Sequence, residues 1–246
     1  MNYSMDYEHK KHQPCLSCGS SDGVYPHEDG AYCYVCKTKT FNDEEDNMPQ
    51  PHLTAVKPLP PVTGTPSAIP SRGLTKAVAE KYKALTSNGQ VNLIYTLDGK
   101  ATGFKQRGLQ EKTFKFNGNA KADLFGQSAF SKGGKSVTIT EGEFDAMAAY
   151  QMMFMAEPCV SVINGASGAV QDCKRNYEWL DSFEKINVCF DSDTAGQNAA
   201  LAVAELFDPR KVRLVKMTLK DPNDYILKGR EREFIDSHRK AGPFTP

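Results

Sequence analysis

The sequence carries no surplus charge of either sign. Lysine plus arginine number 30 and aspartate plus glutamate number 30, so the formal net charge is zero. That balance disfavours a simple basic nucleic-acid-binding module. A basic channel beside an acidic site would cancel in the same sum, so the distribution of charge matters more than the total. Long apolar runs are also missing. No window approaches the ~18 apolar residues of a membrane span, and no membrane partner is expected. Residues 1–13 are polar and contain no apolar core of a signal peptide. A cytoplasmic, reducing compartment is therefore expected. What is present, 246 residues with 39% hydrophobic and 24% charged side chains, suffices for one large or two modest globular domains.

Seven cysteines are an odd number, and four of them form a pattern. Cys15, Cys18, Cys33 and Cys36 are spaced C-x2-C-x14-C-x2-C. Each pair sets two thiolates on a tight knuckle, and two knuckles can close a tetrahedron around zinc. A disulfide pair and a redox motif are the competing readings. Zinc is preferred because the spacing is close to standard and the module is too small to fold without a staple. Gly19 and Gly30 permit the turns. His9, His12 and His27 lie nearby, but four cysteines fill a closed structural site, so they are read as surface residues. Tyr32, Tyr34, Lys37, Lys39 and Phe41 suit a strand face that stacks on bases and neutralises phosphates. For Tyr32 and Phe41 a place in the module's small core is an equal reading. Cys159 and Cys189 lie in apolar runs and read as inert core thiols.

Residues 1–42 thus form an expected zinc ribbon. Residues 43–68 differ: an acidic N-D-E-E-D-N stretch leads into Pro49, Pro51, Pro58, Pro60, Pro61 and Pro66. Such a segment is a semi-rigid, extended tether. From residue 69 the chain reads as globular. Thr75 is placed to cap a helix over 76–83, and strands over 91–96 and 101–107 flank an L-D-G-K hairpin turn. A further strand is expected over 112–116. Lys105, Arg107, Lys112 and Lys115 cluster on this sheet, with Lys121 a little later, and Lys105 and Arg107 share a face by i, i+2 spacing. A solvated charged face is one reading of the cluster. A grip on triphosphates or a polynucleotide backbone is the other. This basic subdomain is assigned residues 69–130.

Residues 131–246 alternate regularly. Strands are expected over 137–140, 158–163, 185–190 and 211–217, and helices over 143–155, 170–183 and 195–207, with a last helical region to about 240. This alternation predicts βαβ units and a mainly parallel sheet, whose ligands sit at the carboxyl ends of strands. Glu141, the Asn164-Gly165 turn, Asp191 with Asp193, and Asp221 with Asp224 all fall at such ends. Carboxylates gathered closely are costly unless a cation neutralises them. Mg²⁺ is typically held by one or two carboxylates plus substrate phosphates. Asp-x-Asp alone reads more readily as a solvated turn or helix cap. With V-T-I-T-E-G-E-F-D in the same α/β unit, the metal reading prevails. Gly142 and Gly196 allow close backbone approach. Glu143 and Asp145 are expected to be turned away by their helix, with one or both serving only its N-terminus.

The run from Val137 to Asp145, followed by F-D-S-D-T-A-G at 190–196, resembles the Toprim motif pair shared by DnaG-type primases, topoisomerases and some nucleases. The fuller order is a four-cysteine ribbon, a proline-rich linker, S-R-G-L near 71, the basic sheet, A-D-L-F-G at 122–126, the Toprim pair and K-D-P-N-D at 220–224. Over nearly the whole chain this resembles the primase half of the primase-helicases of T-odd phages. The resemblance implies an α/β fold: a Toprim-type, mainly parallel sheet with helices on both faces, preceded by a small basic α+β subdomain and the ribbon. It implies that Glu141 is catalytic or metal-coordinating, that Asp191 and Asp193 are metal aspartates, and that Asp221 lies near the metals. Lys105, Arg107 and Lys112 fall where the family contacts nucleotides or nucleic acid, with Lys115 interchangeable with Lys112. The ribbon would help read the template.

The implied activity is DNA-dependent RNA primer synthesis with structural Zn²⁺ and catalytic Mg²⁺ or Mn²⁺. The implied partners are a single-stranded DNA template, ribonucleoside triphosphates, the RNA primer, a fused or separate replicative helicase, and a DNA polymerase, in the cytoplasm of a bacterial host. No Walker A pattern occurs, so a fragment of a primase-helicase or a stand-alone primase is expected. A Toprim nuclease and a non-catalytic DNA-binding replication adaptor are the alternatives. A topoisomerase would need a catalytic tyrosine domain, for which the chain is too short.

Overall fold

The computed structural model describes residues 13–15, 17–18, 20–21, 23–27, 30–41, 59–111, 113–118 and 122–245. His9, His12, Gly19, Lys112, Lys121 and the tether over 43–58 lie outside the described residues, as do the side chains of His27 and Phe41. The chain divides into two compact units, 1–57 and 58–246. Among the described residues no helix is long and apolar enough to cross a membrane.

The first unit is a three-stranded antiparallel ribbon. Its strands β1 (Val24–His27), β2 (Gly30–Cys33) and β3 (Lys39–Phe41) lie in that order. The knuckles are closed by backbone bonds, from the Cys15 amide to the Ser20 carbonyl at 2.7 Å and from the Cys33 amide to the Thr38 carbonyl at 2.9 Å.

The second unit joins two sheets. The antiparallel sheet contains β4 (Thr65–Pro66), β5 (Leu85–Ser87), β6 (Gln90–Leu97), β7 (Lys100–Gly108) and β8 (Phe114–Gly118), ordered as in the chain. Asp98 and Gly99, with φ of 51° and 75°, make the tight β6–β7 turn, whose left-handed backbone matches the strand twist. β4 lies inside the segment expected to be linker to residue 68. Its pairing with β5, and a 2.8 Å bond from Asn92 Nδ2 to the Thr63 carbonyl, draw residues 63–66 into the sheet. Helix α1 (Lys76–Tyr82) begins after Thr75 as expected, without a side-chain cap. Gln151 replaces the cap from a distance: its Oε1 accepts from the Thr75 amide at 2.8 Å and its Nε2 donates to the Gly73 carbonyl at 2.9 Å.

The parallel sheet holds β9 (Val137–Thr140), β10 (Cys159–Ser161), β11 (Ile186–Cys189) and β12 (Val212–Leu214) in the order β10-β9-β11-β12. Both central strands are buried on both faces, which is why they read as continuous β-branched and apolar runs. The connecting helices are α2 (Glu143–Met152), α3 (Gly165–Arg175), α4 (Tyr177–Leu180), α5 (Thr194–Ala204), α6 (Pro222–Leu227) and α7 (Glu231–Lys240). One core gathers Val78, Leu93, Tyr95, Phe144, Met147, Tyr225 and Phe234 from α1, α2, α6, α7 and β6, with Leu74 just ahead of α1. The other gathers Val137, Ile139, Val160, Val188 and Val203 against α3 and α5. Each such aliphatic or aromatic side chain contributes roughly 1.5–3 kcal/mol by leaving water.

Several helix bounds differ from the sequence expectation, α5 ending at Ala204 among them. α2 stops at Met152, and Phe154 and Met155 follow with φ of 57° and 56°. α3 starts at Gly165, five residues early, and breaks at Asn176. There the Asn176 side chain donates to the Asp172 carbonyl at 2.9 Å, a local bond that competes with helix continuation. From the β9 end the chain crosses through α2 to β10 on one side. From the β11 end it crosses through α5 to β12 on the other. The crevice between these two strand ends is the sheet's topological switch point.

Candidate active site and metal centres

The four ribbon cysteines come together with their sulfurs all within 4.8 Å of one another. Cys15 Sγ lies 3.7 Å from Cys36 Sγ, and Cys18 Sγ lies 3.8 Å from Cys33 Sγ. Four sulfurs placed ~2.3 Å from one tetrahedral centre sit about 3.8 Å apart, whereas a disulfide brings them to ~2.05 Å. The spacing fits zinc. The Thr38 hydroxyl, 3.1 Å from Cys36 Sγ, pulls that thiol down to about 6, toward the thiolate that a metal requires. On the same ribbon Tyr32 and Tyr34 pack edge to face at 4.9 Å, with Tyr34 exposed.

In the second unit a cleft of about 300 Å³ opens at the switch point. Glu141, directly after β9, and Asp191, two residues after β11, line it together with Asp145, Asp221 and Lys220. Gly196 lets the first turn of α5 approach, because a Cβ there would lie 2.4 Å from the Asp191 carbonyl oxygen. Burial, then repulsion from Asp191 and Asp193, raises the Glu141 carboxyl above its ordinary range; the Ala166 amide and Lys220 oppose this. The early start of α3 delivers that amide. Burial also raises Asp191, with Lys220 Nζ at 3.1 Å opposing and Asp221 and Asp193 reinforcing. Asp145 is raised furthest, by burial and then by Asp221 and Asp191, against a 3.2 Å bond from the Asn223 amide.

These carboxylates fit a divalent cation. Their oxygens are hard donors, their charges repel, and Glu141 Oε2 is buried with no hydrogen-bond partner. Among the described residues only the cysteines form a group of three or more mutually close metal-type donors. An ion held by the acids would keep waters and share substrate phosphates. Asp193 does not line the cleft. It is exposed and caps α5, accepting from the Gly196 amide at 2.9 Å, yet its charge still acts on Glu141 and Asp191. Asp221 caps α6, accepting from the Asp224 amide at 2.8 Å.

Lys105 and Arg107 of β7 line the opposite wall. Glu143 joins the two walls. The expectation that its helix turns it away is corrected: at 1% exposure it is bonded by Lys105 Nζ, by Arg107 at 3.2 Å and by the Tyr95 hydroxyl at 2.6 Å. Burial works to raise the Glu143 carboxyl, but Lys105 and Arg107 outweigh it and hold the group ionised. Lys105 also donates to the Ile163 carbonyl at 3.2 Å, and Asp172 accepts from the Ile163 amide at 2.8 Å. Lys115 does not join this wall. It pairs across the strands with Gln106, whereas Phe114 pairs with Arg107 and Phe116 with Lys105. Residues directly opposite share a face, so Lys115 lies on the other side of the sheet. Lys112 lies outside the described residues.

Two cleft residues were missed as site residues. Arg72, inside the quoted S-R-G-L, stands over the Phe144 ring at 4.6 Å, and its carbonyl accepts from Asn223 Nδ2 at 2.7 Å. Lys220 opens K-D-P-N-D. Both sat in motifs already singled out, but nothing in one dimension pointed them at the acids.

The parallel sheet with acids at its switch point and helices on both faces is Toprim-like, and the Toprim-like family model matches residues 138–226. The chain is 31% identical over 250 residues to the DNA helicase/primase of Enterobacteria phage T3, covering 96% of this chain and 44% of that protein. It thus spans less than half the length of that relative. The crystal structure of the primase fragment of the bacteriophage T7 primase-helicase superposes with a TM-score of 0.65 at 31% identity, covering 92% of this chain and 98% of the fragment. A T7 assembly, in which a lagging-strand DNA polymerase interacts with primase domains bound to an RNA/DNA hybrid and dTTP, matches with a TM-score of 0.64 at 34% identity. That match covers 72% of this chain and 93% of the other. The chain belongs to the Toprim primase family that includes the primase regions of these phage helicase-primases.

Proposed function

We propose that this chain is a DNA-dependent RNA primase that synthesises short RNA primers on single-stranded DNA. The carrying observation is the single cleft with Glu141, Asp145, Asp191 and Asp221 on one wall and Arg72, Lys105 and Arg107 on the other. Glu141, Asp191 and Asp221 would hold Mg²⁺ or Mn²⁺, with Asp193 adding its charge from the α5 cap. Such an ion, when bound, supplies charge for the transferring phosphate and lowers the pKa of the attacking hydroxyl. Lys105 and Arg107 are pre-oriented by Glu143 to hold the triphosphate or the strand backbone. Each still has donors to spare. Arg72, over the Phe144 ring, adds a further cation to that grip. Lys112 is a further candidate for the same task; Lys115 would serve only the other side of the sheet.

The ribbon, with zinc held by Cys15, Cys18, Cys33 and Cys36, would read the template and bring it to the cleft. Its exposed Tyr34 supports base contact. The products pass to a DNA polymerase, and a replicative helicase is the expected companion; the relatives at 31–34% identity support both.

The test is incubation with single-stranded DNA, labelled ribonucleotides and Mg²⁺. Short RNA products are expected, whereas degraded DNA would mean a nuclease and unchanged nucleic acid a binding adaptor. Asp191→Ala should lower RNA synthesis by roughly 100-fold or more and leave DNA affinity largely intact. Cys36→Ser should abolish template-directed initiation while the second unit keeps its unfolding temperature. Full template-dependent activity in Cys36→Ser would sink the role given to the ribbon.

A further inference from the structure

The basic wall carries aromatic rings as well as charges, and the two alternate. The Arg72 guanidinium stands 4.6 Å from the centre of the Phe144 ring. Arg107 approaches the same ring at 5.9 Å and the Phe114 ring at 5.7 Å. The series runs Arg72, Phe144, Arg107, Phe114, from the cleft out to β8, the edge strand of the antiparallel sheet. Its inner ring is 5% exposed, its outer ring 66%. Cross-strand register fixes the outer end, since Phe114 sits directly opposite Arg107 and so on the cleft-side face.

A single exposed aromatic needs no explanation. A flat ring at the open end of a cation–aromatic series, beside an acid cleft suited to phosphates, has a defined complement. That complement is another planar π system attached to an anionic backbone. We propose that Phe114 is a stacking platform for an unpaired nucleobase of the DNA template strand, with Arg107 beneath it and the strand's phosphates toward Lys105 and Arg107. The proposal rests on the primase reading and adds a base-binding position that motif matching does not assign. It also accounts for the register. The face that lacks Lys115 has Phe114 and Phe116 instead, and Phe116 is occupied against Tyr95 at 5.7 Å, which leaves Phe114 as the outward ring.

Phe114→Trp in a Trp179→Phe background makes the platform the sole tryptophan, because the chain has one. Its fluorescence should be quenched by a single-stranded DNA oligonucleotide in Mg²⁺ buffer, and much less by an abasic oligonucleotide of equal length. A ribonucleoside triphosphate without DNA forms a second arm, and quenching there alone would assign the stacked base to the incoming nucleotide. Phe114→Ala should weaken oligonucleotide binding, read by anisotropy, by about fivefold or more, with Phe114→Leu close to it and Phe114→Trp near wild type. Phe154→Ala is the control. That residue is 73% exposed and follows the far end of α2, about 15 Å from the cleft, and binding should stay unchanged.

Equal quenching by abasic and intact DNA overturns the platform. So does Phe114→Ala within twofold of wild type, or a matching loss in Phe154→Ala. Wild-type RNA synthesis alongside any of these leaves the primase reading standing, whereas absent synthesis removes that reading itself.

Discussion

The parallel-sheet wall of the cleft and its antiparallel-sheet wall carry opposite charge and hold it by different means. On the parallel side, the segments that follow β9, β11 and β12, with the first turn of α2 and the cap of α6, gather Glu141, Asp145, Asp191 and Asp221. Burial and mutual repulsion raise the carboxyls of Glu141, Asp145 and Asp191, and Lys220 is the cation set against Asp191. On the antiparallel side, strand alternation places Lys105 and Arg107 on one face, and a single carboxylate from the other wall, Glu143, orders both and offsets one of their two charges. The acid wall is poised to gain a cation. The basic wall is already ordered and keeps net positive charge. A site that must recruit metal and substrate phosphate together benefits from this asymmetry, since the acids are left to attract the cation while the cations are already oriented for the phosphate.

Removing the shared carboxylate breaks the comparison most severely. Glu143→Ala leaves the largely covered Lys105 without its partner and should cost about 3 kcal/mol of stability, read as the urea midpoint. Glu143→Gln keeps the shape and the Tyr95 contact. It should fold and lose RNA synthesis mainly through a raised KM for ribonucleotides. A Gln variant with wild-type KM would show that Glu143 does not order the basic wall.

A milder break tests the face assignment. Arg107→Ala should weaken nucleotide or template binding by about tenfold, the scale of a lost charged hydrogen bond. Lys115→Ala, on the far face, should stay within about twofold. Equal losses would mean that the sheet binds nucleic acid on both sides.

The smallest effect concerns the repulsion on the acid wall. Asp145 has a folded pKa raised well above the ordinary 3.8, by burial and then by Asp221 and Asp191. A raised pKa means that its contribution to stability is fully present below pH 3.8 and is lost as pH rises through the folded value. Asp145→Asn keeps an acceptor for the Asn223 amide and removes the charge. Without added divalent cation it should raise stability near pH 7 by about 0.5–2 kcal/mol and flatten the slope on that side. It should also weaken Mn²⁺ binding. Unchanged stability across pH 4–8 would place the stored repulsion elsewhere.

Legibility differed between the same two walls. The acids of the parallel sheet were readable because a βαβ unit sends every strand end to one edge, so T-E-G-E-F-D and D-S-D could be set together in one dimension. The i, i+2 pair Lys105 and Arg107 was readable for the same kind of reason. Lys115 was misjudged because its face depends on β7–β8 register, which the β8 sequence alone leaves open by one residue. Glu143 was misjudged because a position at a helix start names no partner; its partners lie 36 and 38 residues earlier in the chain. Thr75 marked the start of α1, but the bond that fixes it comes from Gln151.

Periodicity, spacing and composition by themselves determined the four-cysteine module, the strand–helix alternation and the acids at strand ends, because each rests on local backbone geometry. Tertiary structure decided which charges meet. Glu143 reaches across to Lys105 and Arg107, Asp193 is given to the α5 cap, and Phe114 takes the outward place beside Arg107. Electrostatic and stacking contacts act over a few ångströms in space, and distance along the chain does not record them.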